Sequence, residues 1–315
     1  MRRTKYTKSV LSASHNIIGL DSGLRRNDGI RARAGNTVQI PSATTRPRLI
    51  VTADDFGLHK AVNEAVERGC RDGVLRAASL MVAAPAAADA VARARQLPSL
   101  AVGLHLVLAD GKAILPPAQI PDLVDAQGMF NSDMVRNGFR FFFLPSVRRQ
   151  LAAEIRAQFE AFAATGLRLD HVNAHKHFHL HPTILTLMLS IGRDYGLRAI
   201  RLPAEPGMGP WLRPWLALMR WRMKKAGITY NDHVFGLRHS GGMDEAVMLD
   251  ILRQLPDGLS EVYLHPASHG HLTESMADYR HADELAALLS PRVRATIAER
   301  YRLCDGFSDP AATAA

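Results

Sequence analysis

The chain predicts an α/β fold, a TIM-like but irregular (β/α) barrel. Three observations lead there. Short β-rich runs alternate with helical patterns from Arg48 onward, which favours a parallel sheet. Eight such runs fit the length, the number of strands in a complete barrel. Asp54, Asp55, His105, His175 and His265 each fall just past the C-terminal end of such a run, the rim where barrel enzymes keep their chemistry. A doubly wound open sheet is the alternative.

Residues 48–53 form the first strand, bounded by Pro47 and Asp54. Residues 59–71 read as a helix with Val62, Ala65, Val66 and Gly69 on one face. A strand over 77–82, an alanine-rich helix over 86–96 closed by Pro98, and a strand over 100–106 follow. Residues 109–137 are a loop-rich insertion with Gly, Pro and Asp. The pattern then predicts an amphipathic helix over 146–164 and a strand over 167–173. Pro182 suits the first turn of a helix that continues over 183–195. Strands over 197–202, 232–235, 259–264 and 301–304, with helices over 243–252 and 281–300, complete the domain at 47–310.

An apolar content of 47% in 315 residues is enough for a real core. The net charge of +9 is mostly local: residues 1–46 carry nine Lys/Arg against two Asp/Glu, and the remainder is near neutral. The basic balance therefore gives no ground for a nucleic-acid partner. Residues 1–46 lack periodicity and are rich in Ser, Gly, Asn and Arg, the composition of a disordered basic extension. No apolar run of signal-peptide length follows its basic start. Cys70 and Cys304 are the two cysteines and lie far apart, which excludes a disulfide framework and fits a reducing, cytoplasmic setting. No run of about 18 apolar residues exists to span a membrane.

The chemistry concentrates in residues 170–181, DHVNAHKHFHLH, which hold five of the fourteen histidines. Packing does not explain them, whereas imidazole is both a common metal ligand and a proton shuttle near neutral pH. If the strand continues, His171, Asn173, His175, His177 and His179 share one face. Three protein ligands plus water make the usual catalytic metal site, so the others would orient ligands or bind substrate. The plain alternative is a structural site or a surface histidine patch. Asp54 and Asp55 form a pair at a strand end: one carboxylate can bind a cation while the other accepts a proton. A single Asp there would read as a helix cap. His105 alone reads as a core histidine and gains weight from the ligand types at equivalent strand ends. His265 follows Val262-Tyr263-Leu264 and is either a general acid or a loop cap. Together these groups suggest a metal hydrolase. Arg201 and Glu205 form a substrate-binding pair or a surface ion pair, and His177 and Trp215 join them as substrate-binding positions. Residues 211–225 hold all three tryptophans, five basic residues and no acid. That makeup suits an interfacial membrane helix or the wall of an apolar pocket, and equally a barrel helix with its Trp residues packed inward.

In order and together, these motifs resemble the YdjC-like carbohydrate deacetylases, including their ChbG-type chitooligosaccharide branch. The resemblance covers about residues 47–308. It rests on TADDFG (52–57), GLHL (103–106), the 171–182 cluster, RLP (201–203) and LHP (264–266). It implies a barrel-like fold and hydrolysis of an N-acetyl group on an amino sugar. It also implies Asp55, His105 and His175 as ligands of one divalent metal ion, Mg2+ or Zn2+, with Asp54 as general base and His265 as general acid. One departure stands out. The family pattern His-x-Asp-Ser-His appears here as His171-Val172-Asn173-Ala174-His175, so an amide replaces a carboxylate beside the ligands. Residues 210–225, with DHVFG (232–236) and SGG (240–242), look like the branch associated with hopanoid biosynthesis. That implies a lipid-linked N-acetylglucosamine substrate and a peripheral contact of 211–225 with the inner face of the membrane; a homodimer is compatible with it. Soluble chitooligosaccharides are the alternative substrate, and a non-catalytic glycolipid-binding barrel is the alternative from another class. A phosphoesterase would want Arg and Lys clustered at the strand ends, where Arg201 alone qualifies.

Overall fold

β1 (Arg48–Phe56) is buried along nearly its whole length, and its alternation explains the architecture. Leu49, Val51 and Ala53 join the main hydrophobic core, while Ile50 joins a separate cluster with Ala77, Ala199, Leu259, Cys304, Phe307 and Ala312. One face of the strand meets helices and the other meets opposing strands, as in a closed barrel. The computed structural model describes residues 46–270 and 272–313. The extension expected over 1–46 lies outside them, apart from Arg46.

Among the described residues β2 (Ala77–Leu80), β3 (Ala101–Leu106), β4 (Val172–Ala174), β5 (His233–Phe235) and β6 (Leu259–Leu264) pair in parallel in the order β4-β3-β2-β1-β6-β5. Backbone hydrogen bonds through residues 199–204 join the two ends of this sheet. Val172 N–H donates to Ala199 O (2.9 Å) and Arg201 N–H to Val172 O (3.1 Å) on one side. Ile200 N–H donates to Thr229 O (3.0 Å) and Val234 N–H to Ala204 O (3.1 Å) on the other. The strand expected over 197–202 thus exists as isolated bridges. The Asn231 side chain takes over ladder positions there, accepting from Leu202 N–H and donating to Leu202 O, each at 2.8 Å.

Three other expectations need correction. The run 301–304 is not an eighth stave. β7 (Arg302–Leu303) pairs with Arg48 and Leu49 on the edge of β1 that takes β2 higher up, and the residues after it fill the N-terminal end of the barrel. The strand over 167–173 shrinks to β4. The helix over 281–300 is two, α8 (His281–Leu289) and α9 (Pro291–Arg300), because the Ser290 side chain caps α9 and Pro291 opens it.

Six further helices, α1 (Lys60–Asp72), α2 (Ala87–Ala94), α4 (Pro145–Ala164), α5 (Pro182–Gly192), α6 (Arg213–Lys225) and α7 (Glu245–Gln254), lie near their expected positions. The insertion over 109–137 runs into a helix that the pattern did not show, α3 (Met134–Phe143), capped by Asp133. His59, not an aspartate, caps α1 by accepting from Ala61 N–H at 3.1 Å, which leaves Asp54 and Asp55 available.

Candidate metal and catalytic centre

β1 ends in an irregularity: its register with β2 shifts between Ala53 and Phe56, and Asp55 adopts φ +62°. Asp54 faces the barrel interior by ordinary alternation. The left-handed residue turns Asp55 inward as well, so adjacent carboxylates reach one site. A non-glycine residue held there costs of order 1–3 kcal/mol and is typical of functional sites. β3 delivers His105, and the end of β4 delivers His175. Lys176 and His177 then take φ +54°, which ends the strand. The shared face expected through His179 therefore stops at His175. His177 turns to the Tyr263 hydroxyl (2.9 Å), and His179 is buried against the Arg201 carbonyl (2.9 Å).

Asp55, His105 and His175 converge. Asp55 Oδ1 lies 3.3 Å from His105 Nε2 and 3.2 Å from His175 Nδ1, and the two nitrogens are 3.3 Å apart. All three residues are buried, and among the described residues no other such group of three forms. Ligand atoms about 2.0–2.1 Å from a tetrahedral zinc ion lie roughly 3.3 Å apart, so the triangle fits one. The second Asp55 oxygen, Oδ2, is buried without a partner. Two imidazole nitrogens and one carboxylate are a donor set for a divalent cation of the zinc class.

Donor and acceptor accounting sets the tautomer of His105. Asn173 Nδ2 sits 3.0 Å from Asp54 Oδ1, which can only accept, so the amide nitrogen belongs there. Asn173 Oδ1 then accepts from His105 Nδ1–H at 2.7 Å, leaving the Nε2 lone pair aimed into the triangle. The amide also donates to Ser79 Oγ (3.0 Å), whose hydroxyl meets His171 Nε2 (3.0 Å), and His171 Nδ1–H donates to Asp170 (2.9 Å). The amide at position 173 thus does the orienting that a carboxylate would do, without placing a second negative charge beside Asp54.

Arg201 is fully buried and spans two carboxylates. It grips Asp54 through Nη1 (2.5 Å) and Nη2 (3.0 Å), and Glu261 through Nε (2.9 Å) and Nη2 (2.7 Å). Thr52 Oγ1–H donates to Glu261 as well (2.8 Å). Burial alone would raise the Asp54 pKa. Arg201 and His105 outweigh it and hold the carboxyl far below the usual range. Burial likewise works against the charge on Asp55, and His175 and His105 overcome it. Burial lowers the His265 pKa, opposed by Asp55 and Asp54. The His265 backbone N–H donates to Glu284, its carbonyl accepts from His281, and its ring Nδ1 is buried without a partner.

Arg201 and Glu205 do not pair. The Glu205 carboxylate accepts from the backbone of Gly236 (3.3 Å) and Arg238 (3.1 Å) and so holds the 236–238 loop. Trp215 is half-buried, its indole N–H donating to Leu180 O (2.9 Å), whereas Trp211 and Trp221 face outward. Sequence reasoning missed Glu261, Tyr263 and Glu284. The signal for Glu261 was a charged residue midway along an apolar strand, at an inward position.

The profile of the YdjC-like protein family matches residues 48–299, which include every residue that faces this centre. The chain belongs to the YdjC-like family. It is 30% identical over 268 residues to a carbohydrate deacetylase of Brevibacillus brevis, covering 83% of this chain and 99% of that one. A carbohydrate deacetylase of Geobacillus stearothermophilus is 31% identical over 254 residues, covering 80% and 93%. A solved Enterococcus faecalis structure, described as a candidate cellobiose-phosphate cleavage protein, superposes with a TM-score of 0.68 at 25% identity, over 82% of this chain and 97% of that one. The expected YdjC-like resemblance and (β/α) barrel are both borne out.

Proposed function

We propose that this YdjC-like chain is a metal-dependent hydrolase that removes the N-acetyl group from an N-acetylated amino sugar. The observation that carries this reading is the Asp55–His105–His175 triangle beside an ionised Asp54, in a chain whose relatives are named carbohydrate deacetylases. Asp55, His105 and His175 would hold one divalent ion, zinc or magnesium. When bound, such an ion polarises the amide carbonyl and acidifies water.

The chain's own groups supply the rest. Asp54 accepts the proton of the attacking water, and Arg201 and Asn173 fix its carboxylate. A base of such low proton affinity works only on water that has already been acidified, which ties its role to an occupied ligand triangle. Water oxygen bonds to the acetyl carbon, the C–N bond breaks, and His265 protonates the departing sugar nitrogen, so acetate and a free amine leave. The complete burial of Arg201 supports a role in holding Asp54, and its bonds to Asp54 and Glu261 withdraw that cation from a phosphate. His177, joined to Tyr263, and Trp215, fixed to the turn after His175, are the side chains offered for sugar contact.

The finer reading is a lipid-linked substrate, an N-acetylglucosaminyl hopanoid, met at the inner face of the membrane. In its support, α6 buries Leu216, Met219 and Met223 while Leu218 and Trp221, with Trp211 just before it, stay exposed at helical spacing. Among the described residues no helix is long and apolar enough to cross a membrane, so the contact would be peripheral. Mass spectrometry of N-acetylglucosaminyl hopanoid and of chitobiose after incubation with metal-loaded protein tests both levels. Loss of one acetyl from the hopanoid alone supports the lipid reading. Loss from chitobiose alone removes it and keeps the deacetylase. Loss from neither, with zinc or magnesium supplied, overturns the activity.

A further inference from the structure

α3 is amphipathic the wrong way round for a helix on an aqueous surface. Asn137 and Phe141 are its buried residues, while Val135, Phe139, Phe142 and Phe143 lie on the outer face at helical spacing, continued by Leu144. Phe139 is 63% exposed, Phe142 49% and Phe143 64%. Phe142 and Phe143 pack edge to face, and Phe139 stacks on Phe143, so the three rings form one patch. A contiguous exposed patch of this kind marks an interaction surface.

The charge around the patch selects the partner. Residues 134–153 contain four arginines and no acid. Arg140 is paired with Asp122, but among the described residues Arg136, Arg148 and Arg149 have no ion pair and are exposed. A second copy docking through the same face would bring these cations together. Anionic lipid headgroups would complement them, with the rings at the acyl boundary.

The position fits that partner. Phe141 packs against Phe178 and His181, at 5.5 and 6.1 Å between ring centres, and both belong to the turn that follows His175. α6 touches the same turn through the Trp215 bond to Leu180. The outward apolar faces of α3 and α6 therefore flank the segment that supplies one corner of the ligand triangle.

We propose that α3, through Phe139, Phe142 and Phe143 and the arginines around them, docks this chain on an anionic bilayer surface beside the mouth of the barrel. This goes beyond the peripheral contact proposed for 211–225, because it assigns insertion to a different element and needs no particular substrate.

The test is co-sedimentation of the full chain with mixed phosphatidylcholine–phosphatidylglycerol vesicles and with pure phosphatidylcholine vesicles, at low and high salt. The wild type is expected to prefer the anionic vesicles and to lose binding as salt rises. Phe139→Ser combined with Phe142→Ser and Phe143→Ser should bind about tenfold more weakly, with melting temperature and hydrolysis of a soluble acetylated sugar unchanged. The basic stretch 1–46 is present in both proteins and cannot produce the difference. Trp211→Ser with Trp221→Ser reports the share of 211–225 separately. Unchanged binding by the triple variant overturns the proposal. So does a wild type that ignores both vesicle types, or a dimer in light scattering that the triple variant splits. Vesicle binding without acetate release would sink the catalytic reading and leave this one standing.

Discussion

Among the described residues the barrel interior holds two histidine–carboxylate clusters, one near each end, one a line and the other a triangle, with almost the same contact distances. In the lower one, Asp170, His171 and Ser79 line up at 2.9 and 3.0 Å, the order and spacing of a nucleophilic triad. In the upper one, Asp55, His105 and His175 meet at 3.2–3.3 Å. The difference lies in what is left over. Asp170 also accepts from Phe307 N–H (3.0 Å), Ser308 N–H (2.9 Å) and the Ser308 hydroxyl, and the Phe307 ring covers His171 at 5.0 Å. Ser79 and His171 are completely buried. The upper end leaves Asp55 Oδ2, His177 Nδ1 and His265 Nδ1 without partners. Unfilled bonding capacity at the C-terminal ends of the strands, rather than contact distance, separates a site from a scaffold.

Substitutions can break this contrast. The largest effect is expected from Asp55→Ala, His105→Ala or His175→Ala, each of which should abolish acetate release. His265→Ala should slow turnover by roughly 10²–10⁴-fold while metal content stays intact, read by steady-state kinetics beside metal analysis. Asn173→Ala should weaken metal affinity by about 10–100-fold, because His105 loses the acceptor that fixes its tautomer; competition with a chelator measures this.

At the lower end the effects should appear in stability. The Asp170 carboxyl would rise on burial, but His171 and then Ser308 bring it down to about 2 from 3.8. A carboxyl lowered in the folded state contributes stability that is present above pH about 4 and is lost as pH falls through about 2. Asp170→Asn should therefore cost about 2 kcal/mol at neutral pH, and its urea midpoint should approach that of the wild type as pH falls to about 2. Gly103→Ala should destabilise too, since a Cβ there would stand 2.6 Å from the His171 ring; unchanged melting would show that the lower cluster yields easily.

Much of this was legible in the sequence because strand ends and polar residues are local signals. Asp54, Asp55, His105 and His175 announced themselves as charged or imidazole groups terminating apolar runs, and all reach the same end of the barrel. What stayed hidden depended on backbone conformation and on distant partners. No local pattern shows that Lys176 and His177 go left-handed, and that turn alone removes His177 and His179 from the face of His175. Arg201 looked free for substrate, yet Asp54 and Glu261, 147 and 60 residues away, consume it. α3 escaped notice because its exposed face is apolar, the reverse of the pattern by which a surface helix is recognised. The expectation of eight strands failed where β7 serves as a plug rather than a stave.

The most direct measurement is metal content by mass spectrometry of the purified protein and four single variants. One divalent ion per chain is expected in the wild type and in His171→Ala, and none in Asp55→Ala, His105→Ala or His175→Ala. An ion that survives the loss of Asp55, or one that disappears with His171 alone, would contradict it.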